Sequence, residues 1–188
     1  MFSLHATKPF AIGEGGIIVT RSKSLAEKLR RLSNFGFNEN KEAADIGFNG
    51  KMQELNAAIG IRQLKRLDQN IKSRQEKLLI YKKLLTPLKY EFQINDENSS
   101  LAFVSVLGPG EENTNLFHSE LIKIGIGVRR YYNPPLHTHD SIKRKSKAAV
   151  ALSVTEDMCK RILSLPIHDG ISVDDIFYIC TMTTLQNK

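Results

Sequence analysis

Apolar residues recur along the chain with two different periods, and the changes between them mark its elements. Gly16-Ile17-Ile18-Val19-Thr20 is a short β-branched run of the kind that forms a buried strand. Leu25, Leu29 and Leu32 then recur at helical spacing. Ser24 and Glu27 stand as a capping box at the start of that helix, and Gly36 as its stop. Residues 36–50 hold the turn formers Asn38, Asn40, Gly47, Asn49 and Gly50, and Phe35, Phe37 and Phe48 are expected to pin this loop onto a core. From Met52 the helical period returns through Leu55, Ile59, Leu64, Leu67, Ile71, Leu78, Tyr81 and Leu85, until Pro87 ends it. Unbroken, such a helix would run about 50 Å at about 1.5 Å per residue, too long for one compact domain. It is expected to bend near Gly60 or around Asp68–Asn70, or to bridge two domains.

Beyond Pro87 the pattern shortens. Tyr90, Phe92 and Ile94 alternate, Asn95-Asp96-Glu97-Asn98 reads as a turn, and residues 101–107 read as the returning strand of a hairpin. A helix is expected over 113–123 and ends at Gly125. A strand follows over 126–131, then an extended Asn133-Pro134-Pro135 loop and an exposed basic run over 143–147. Further on come a helix over 148–162, a short strand over 162–167 and a last helix opened by Ser172. Asp174 and Asp175 sit in its first turn, where negative charge suits the helix dipole. Helices and strands in this order describe a small α+β layer domain.

Composition adds little to this picture; charge and cysteine usage add more. A hydrophobic content of 41% and a charged content of 25% are ordinary for a globular chain, and no apolar run is long enough to span a membrane. The N-terminus lacks the pattern of a signal peptide, and a cytoplasmic location is expected. Cys159 and Cys180 lie far apart in helical stretches and read as free thiols, with no metal spacing. Net charge is +7, and residues 51–86 carry nine basic groups against three acidic ones. Such a stretch reads first as a solvated helix face, and otherwise as a surface for an anionic partner.

The candidate chemistry lies at the start. In Ser3-Leu4-His5-Ala6-Thr7-Lys8, followed by Gly13-Glu14-Gly15-Gly16, a lysine stands beside a histidine, two hydroxyls and a glycine-rich turn. Lysine amines form Schiff bases with carbonyl compounds and with pyridoxal phosphate. This segment resembles the lysine segment of the DegT/DnrJ/StrS-type sugar aminotransferases, and three later stretches match that family in order. They are Gly47-Phe48-Asn49-Gly50-Lys51-Met52-Gln53-Glu54 with the alanines that follow, Arg130-Tyr131-Tyr132-Asn133-Pro134-Pro135-Leu136-His137, and Ile162-Leu163-Ser164-Leu165-Pro166-Ile167-His168.

The resemblance implies an α/β fold: the C-terminal part of a pyridoxal-phosphate-dependent transferase of the aspartate-aminotransferase type. Residues 1–50 would be the tail of the large cofactor domain, 51–86 a bridging helix region and 87–188 a small α+β domain. It implies pyridoxal 5'-phosphate as cofactor, with Lys8 as the lysine that holds it covalently and moves the proton. Ser3 matches a serine that hydrogen-bonds the cofactor phosphate. Asn49 matches an asparagine that reaches the phosphate bound in the neighbouring subunit, which implies a homodimer with shared sites. His5, Tyr132 and His137 are candidate substrate-side residues, and His118, His139 and His168 are expected to be structural or at the surface. The reaction implied moves an amino group from an amino acid, commonly glutamate, to a nucleotide-linked keto-sugar. Some family members with histidine at the lysine position perform dehydration, so Lys8 argues for amino transfer. No metal or membrane partner is implied.

In the family the lysine segment lies mid-chain. The aspartate facing the ring nitrogen, the group covering the ring and most of the phosphate seat come before it, so this chain alone is expected to bind the cofactor weakly or not at all. A reading from a different class is a non-catalytic binding module or degenerate subunit that engages nucleic acid through the basic 51–86 stretch.

Overall fold

A computed structural model of the 188-residue chain describes residues 1–94, 99–145 and 150–183. The chain divides into two units, Met1–Asp68 and Gln69–Lys188.

The first unit is built on a two-stranded antiparallel ribbon. β1 (Phe2–Ser3) pairs with β2 (Gly16–Ile17), with Phe2 opposite Ile17 and Ser3 opposite Gly16. Between them the chain folds back on itself, Leu4 N–H donating to Gly15 O at 2.9 Å and Ile12 N–H to Leu4 O at 2.9 Å. Leu4 and Ile12 are the buried apolar side chains of this unit. The expected buried strand over 16–20 is therefore shorter and lies open, with Ile17, Ile18 and Val19 all exposed. A two-stranded ribbon has no second layer within the unit to cover it.

α1 (Lys23–Leu32) starts two residues earlier than the expected Ser24–Glu27 capping box allows. Ser22 is the N-cap, its side chain accepting from Leu25 N–H at 3.2 Å. The helix ends at Ser33; Gly36 sits beyond it at φ +78°, and its N–H returns to Arg31 O at 2.8 Å. Phe35, Phe37 and Phe48 do not pin the loop to a core: all three are exposed. Phe35 packs on Phe37 at 5.8 Å between centroids and carries the Lys51 ammonium 4.0 Å above its ring.

The long helical stretch is two helices, α2 (Glu54–Leu64) and α3 (Leu67–Leu85), broken at Lys65–Arg66 rather than at Gly60 or Asp68–Asn70. Gly60 stays helical because its missing side chain serves packing: a Cβ there would lie 3.3 Å from Ile12 Cγ2.

The second unit holds an antiparallel sheet in the order β3 (Glu91–Phe92), β4 (Val104–Leu107), β5 (Ile162–Leu165). The hairpin β3–β4 forms as expected; the turn expected at 95–98 lies outside the described residues. The strand expected over 126–131 reduces to a single bridge, Arg129 opposite Ser164. Val104 pairs with Leu165 and Val106 with Leu163, and this face turns to the core, while Ser105, Ser164 and Arg129 share the other face. α4 (Glu111–Lys123) contributes Phe117 and Leu121 to the core, and α7 (Val173–Thr181) contributes Ile176, Ile179 and Cys180. Between these lie the short α5 (Asp140–Lys143) and α6 (Ser153–Arg161). Residues 150–152 of the helix expected over 148–162 are not helical, and 148 and 149 lie outside the described residues, as do 146 and 147 of the basic run. Both cysteines are free, Cys159 half-buried and Cys180 buried.

α3 supplies Leu78, Tyr81 and Leu85 to the core of the second unit and anchors it by polar contacts. Arg74 Nη1 donates to Leu101 O at 2.7 Å and to Ile167 O at 2.8 Å, Lys77 Nζ to His168 O at 2.9 Å, and Tyr81 Oη to Pro166 O at 3.0 Å. The basic stretch is thus not a uniformly solvated face: Arg74 and Lys77 are buried. Burial pulls the Arg74 guanidinium below its usual range, against the pull of Asp169.

Candidate active site

Lys8 is presented by the loop between β1 and β2. Buried Leu4 anchors the loop, and Lys8 N–H closes a turn on His5 O at 2.9 Å. α2 backs it from below, Asn56 Nδ2 donating to Glu14 O at 3.0 Å. Lys8 Nζ makes no hydrogen bond or ion pair with any described residue, so its amine is available for covalent chemistry.

Ser3 and His5 lie in the same segment. His5 N–H points to Ser3 Oγ at 3.4 Å. The His5 ring is held from both ends: Nδ1 accepts from Thr7 N–H at 3.2 Å and lies 2.9 Å from Thr7 Oγ1, while Nε2 faces Glu14 Oε1 at 3.5 Å. With Nδ1 accepting, the proton of the neutral ring sits on Nε2, toward the carboxylate. Thr7 and Glu14 were not singled out from the sequence as site residues, although Glu14 stands inside the Gly-Glu-Gly-Gly signal.

Asn49 is displayed by the loop that follows α1. Asn34 bridges to Asn49, Phe35 N–H donates to Phe48 O at 3.0 Å, and Gly50 N–H donates to Ser33 O at 2.8 Å. The loop closes where Gly36 and Gly47 touch: a Cβ on Gly47 would stand 2.1 Å from Gly36 N. Arg31 ties the same loop to α1 through Asp45 at 3.0 Å. Asn49 itself is exposed.

Tyr132 and His137 belong to the second unit, on the loop that leaves the Arg129 bridge. Arg130 fixes the root of that loop. It donates to Asn115 Oδ1 at 2.7 Å, to Ile162 O at 3.3 Å, to Cys159 O at 3.4 Å and to Lys160 O. Burial pulls its guanidinium below the usual range, with Glu111 opposing. His137 Nε2 lies 3.0 Å from Glu156 Oε1 on α6, which couples the far end of the loop to that helix. Glu156 carries no sequence signal, because the pairing joins two segments with nothing local in common. The structure thus gathers Ser3, His5 and Lys8 on one loop, places Asn49 on a second loop of the same unit, and sets Tyr132 and His137 together in the other unit.

Comparison with known proteins gives a consistent result. The DegT/DnrJ/EryC1/StrS aminotransferase family matches residues 1–184. Protein Rv3402c of Mycobacterium tuberculosis is 39% identical over 178 residues, covering 94% of this chain and 43% of that protein. The dTDP-4-amino-4,6-dideoxy-D-glucose transaminase of Shigella dysenteriae is 31% identical over 186 residues, covering 95% of this chain and 50% of that enzyme. A solved structure from Bacillus cereus, assigned as a PLP-dependent aminotransferase, superposes with a TM-score of 0.85 at 34% identity. It covers 97% of this chain and 50% of that one. The chain therefore spans about half the length of the curated relatives it matches. By sequence along nearly its whole length, and by fold, the chain belongs to the DegT/DnrJ/EryC1/StrS aminotransferase family.

Proposed function

We propose that the chain is the lysine-bearing half of a pyridoxal-phosphate-dependent aminotransferase. The enzyme would move an amino group from an amino acid, glutamate in the first instance, to a nucleotide-linked keto-sugar in amino-sugar biosynthesis. The observation that carries this reading is the free Lys8 amine on a loop held by Leu4, His5, Glu14 and Asn56. Pyridoxal phosphate, when bound, supplies the electron sink that allows a proton to leave the amino-acid carbon. The residues present fit that group. Lys8 Nζ is unencumbered and can both hold the cofactor covalently and carry the proton. The exposed Ser3 hydroxyl is a short donor suited to a phosphate oxygen, and His5 keeps a fixed tautomer beside them. Asn49, exposed on its clasped loop, would reach the cofactor phosphate of a neighbouring subunit, and its exposure supports that reading. Tyr132 and His137 would face the sugar nucleotide.

The reading as a nucleic-acid-binding module is weakened by Arg74 and Lys77, two of the nine cations of the basic stretch, which are buried and committed to backbone carbonyls. The test is amino transfer by this chain mixed with a separately produced polypeptide equivalent to the other half of the relatives. Formation of 2-oxoglutarate from glutamate that requires a nucleotide-linked keto-sugar and disappears in Lys8→Ala is expected. Transfer unaffected by Lys8→Ala, or steeply salt-dependent DNA or RNA binding with no transfer, would reject the reading.

A further inference from the structure

The two units differ in how they are held together. The second packs α3, α4, α7 and its sheet around one continuous core. In the first, Leu4 and Ile12 are the buried apolar side chains among the described residues, and neither α1 nor α2 contains a buried residue. Two buried side chains offset only a small part of the conformational entropy lost in ordering a ribbon and two helices. This unit therefore depends on cover that the described residues do not supply.

Its apolar side chains are gathered on one surface instead. Ile17, Ile18, Ala26, Leu29, Leu32 and Phe48 line a groove of about 480 Å³ between β2 and α1. Ile18 is 52% exposed and Val19, next to it, 71% exposed. The groove runs beside a strand edge. β2 pairs with β1 on one side only, and Ile18 and Val19 continue past the end of that ladder. A free edge next to an apolar groove is what an added strand needs: its main chain meets the edge and alternate side chains enter the groove. What covers this surface is indicated by the length of the relatives. The chain matches them along nearly its whole length yet spans about half of theirs, so their other half has no counterpart in it.

We propose that the groove between β2 and α1, with the free edge of β2, docks a polypeptide equivalent to that other half, through an extended strand with apolar side chains on one face. This inference rests on the reading of the chain as one half of an aminotransferase. Docking widens a two-stranded ribbon, marginal by itself, into a larger sheet. It covers Ile17, Ile18 and Val19, and it steadies the ribbon from which the lysine loop springs.

The test titrates the full chain with a separately produced polypeptide equivalent to the other half. Association is read by calorimetry, and amide hydrogen exchange gives the footprint. A one-to-one complex is expected, with slower exchange over residues 2–3, 16–19 and 23–32 and no change in the second unit. Ile18→Lys puts a charge on the edge and Ala26→Lys fills the groove. Each should weaken association roughly tenfold or more, with circular dichroism unchanged. Leu79→Lys, at another exposed apolar position, on α3, is the control and should change nothing. No association by the unaltered chain, equal affinity in both groove variants, or a footprint confined to the second unit overturns the proposal. So does slower exchange over 16–32 when the chain alone is concentrated, which would make a second copy the occupant. Labelling of Lys8 by pyridoxal phosphate is read separately in the same mixtures. If Lys8 is labelled while both groove variants dock normally, only the docking surface falls. If the halves dock here while Lys8 is never labelled, the surface stands and the aminotransferase reading falls.

Discussion

Arg74 and Ile167 are joined by a 2.8 Å hydrogen bond from the guanidinium of a helix to a carbonyl just past a strand, across 93 positions of sequence. The same nitrogen also serves Leu101 O, and Lys77 and Tyr81 continue the row onto His168, Asp169 and Pro166. Side chains at i, i+3 and i+7 of α3 thus satisfy the backbone where β5 ends and the chain turns toward α7. Replacing Arg74 by Met keeps the apolar stem but strands two buried carbonyls. Loss of about 2–4 kcal/mol of stability is expected, read as a lowered midpoint in urea unfolding. Lysine at this position should recover only part of it, because an ammonium lacks the planar fork that reaches both acceptors.

Gly47→Ala should open the Asn49 loop. Its new Cβ would collide with Gly36 N at 2.1 Å and with Leu32 O at 2.7 Å, atoms of the backbone that cannot swing aside. Faster amide exchange over residues 33–50, with the second unit unaffected, is the expected result by hydrogen-exchange mass spectrometry.

The two thiols should differ in reactivity. Burial pushes the Cys180 thiol up to about 12, so it stays protonated and inert in the folded chain, whereas Cys159 is half-buried. A thiol reagent at pH 8 should label Cys159 in the native protein, and Cys180 only after denaturation.

The start of α7 gives a pH signature. Hydrogen bonds from the Ser172 hydroxyl, and then from its backbone N–H, hold the Asp175 carboxyl below the usual carboxylate range. A depressed folded-state value means the stabilisation is complete above the unfolded value, about 3.9, and is lost as pH falls through the folded value. Ser172→Ala removes the reciprocal cap, is expected to cost about 1 kcal/mol at neutral pH, and should flatten the acid limb of the stability profile.

Several local signals are legible in the sequence, although the Ser24–Glu27 pattern misses the actual Ser22 cap, and the non-local ones are not. The hairpin pairing of residues 91 and 92 with 106 and 107, and the Ser172 start of α7, each depend on neighbours in sequence. The family resemblance, resting on four ordered motifs, agrees with the family match and with the fold. Burial was misread wherever it depends on a layer brought from elsewhere. Ile17, Ile18 and Val19 have the composition of a buried strand, yet the unit that holds them offers nothing to cover them. Arg74 and Lys77 look like solvated helix charges, and their partners are carbonyls 27 to 93 positions away. The break at Lys65–Arg66 carries no glycine or proline to announce it. Glu156 beside His137 and Phe103 beneath Tyr131 are likewise products of the tertiary fold.

The most direct test of the account is to find where the cofactor attaches. The chain, combined with a polypeptide equivalent to the other half of the relatives, is incubated with pyridoxal phosphate, reduced with borohydride and mapped by peptide mass spectrometry. The account predicts a phosphopyridoxyl group on Lys8, absent in Lys8→Ala. Modification spread over surface lysines, or a single modified lysine other than Lys8, would contradict it.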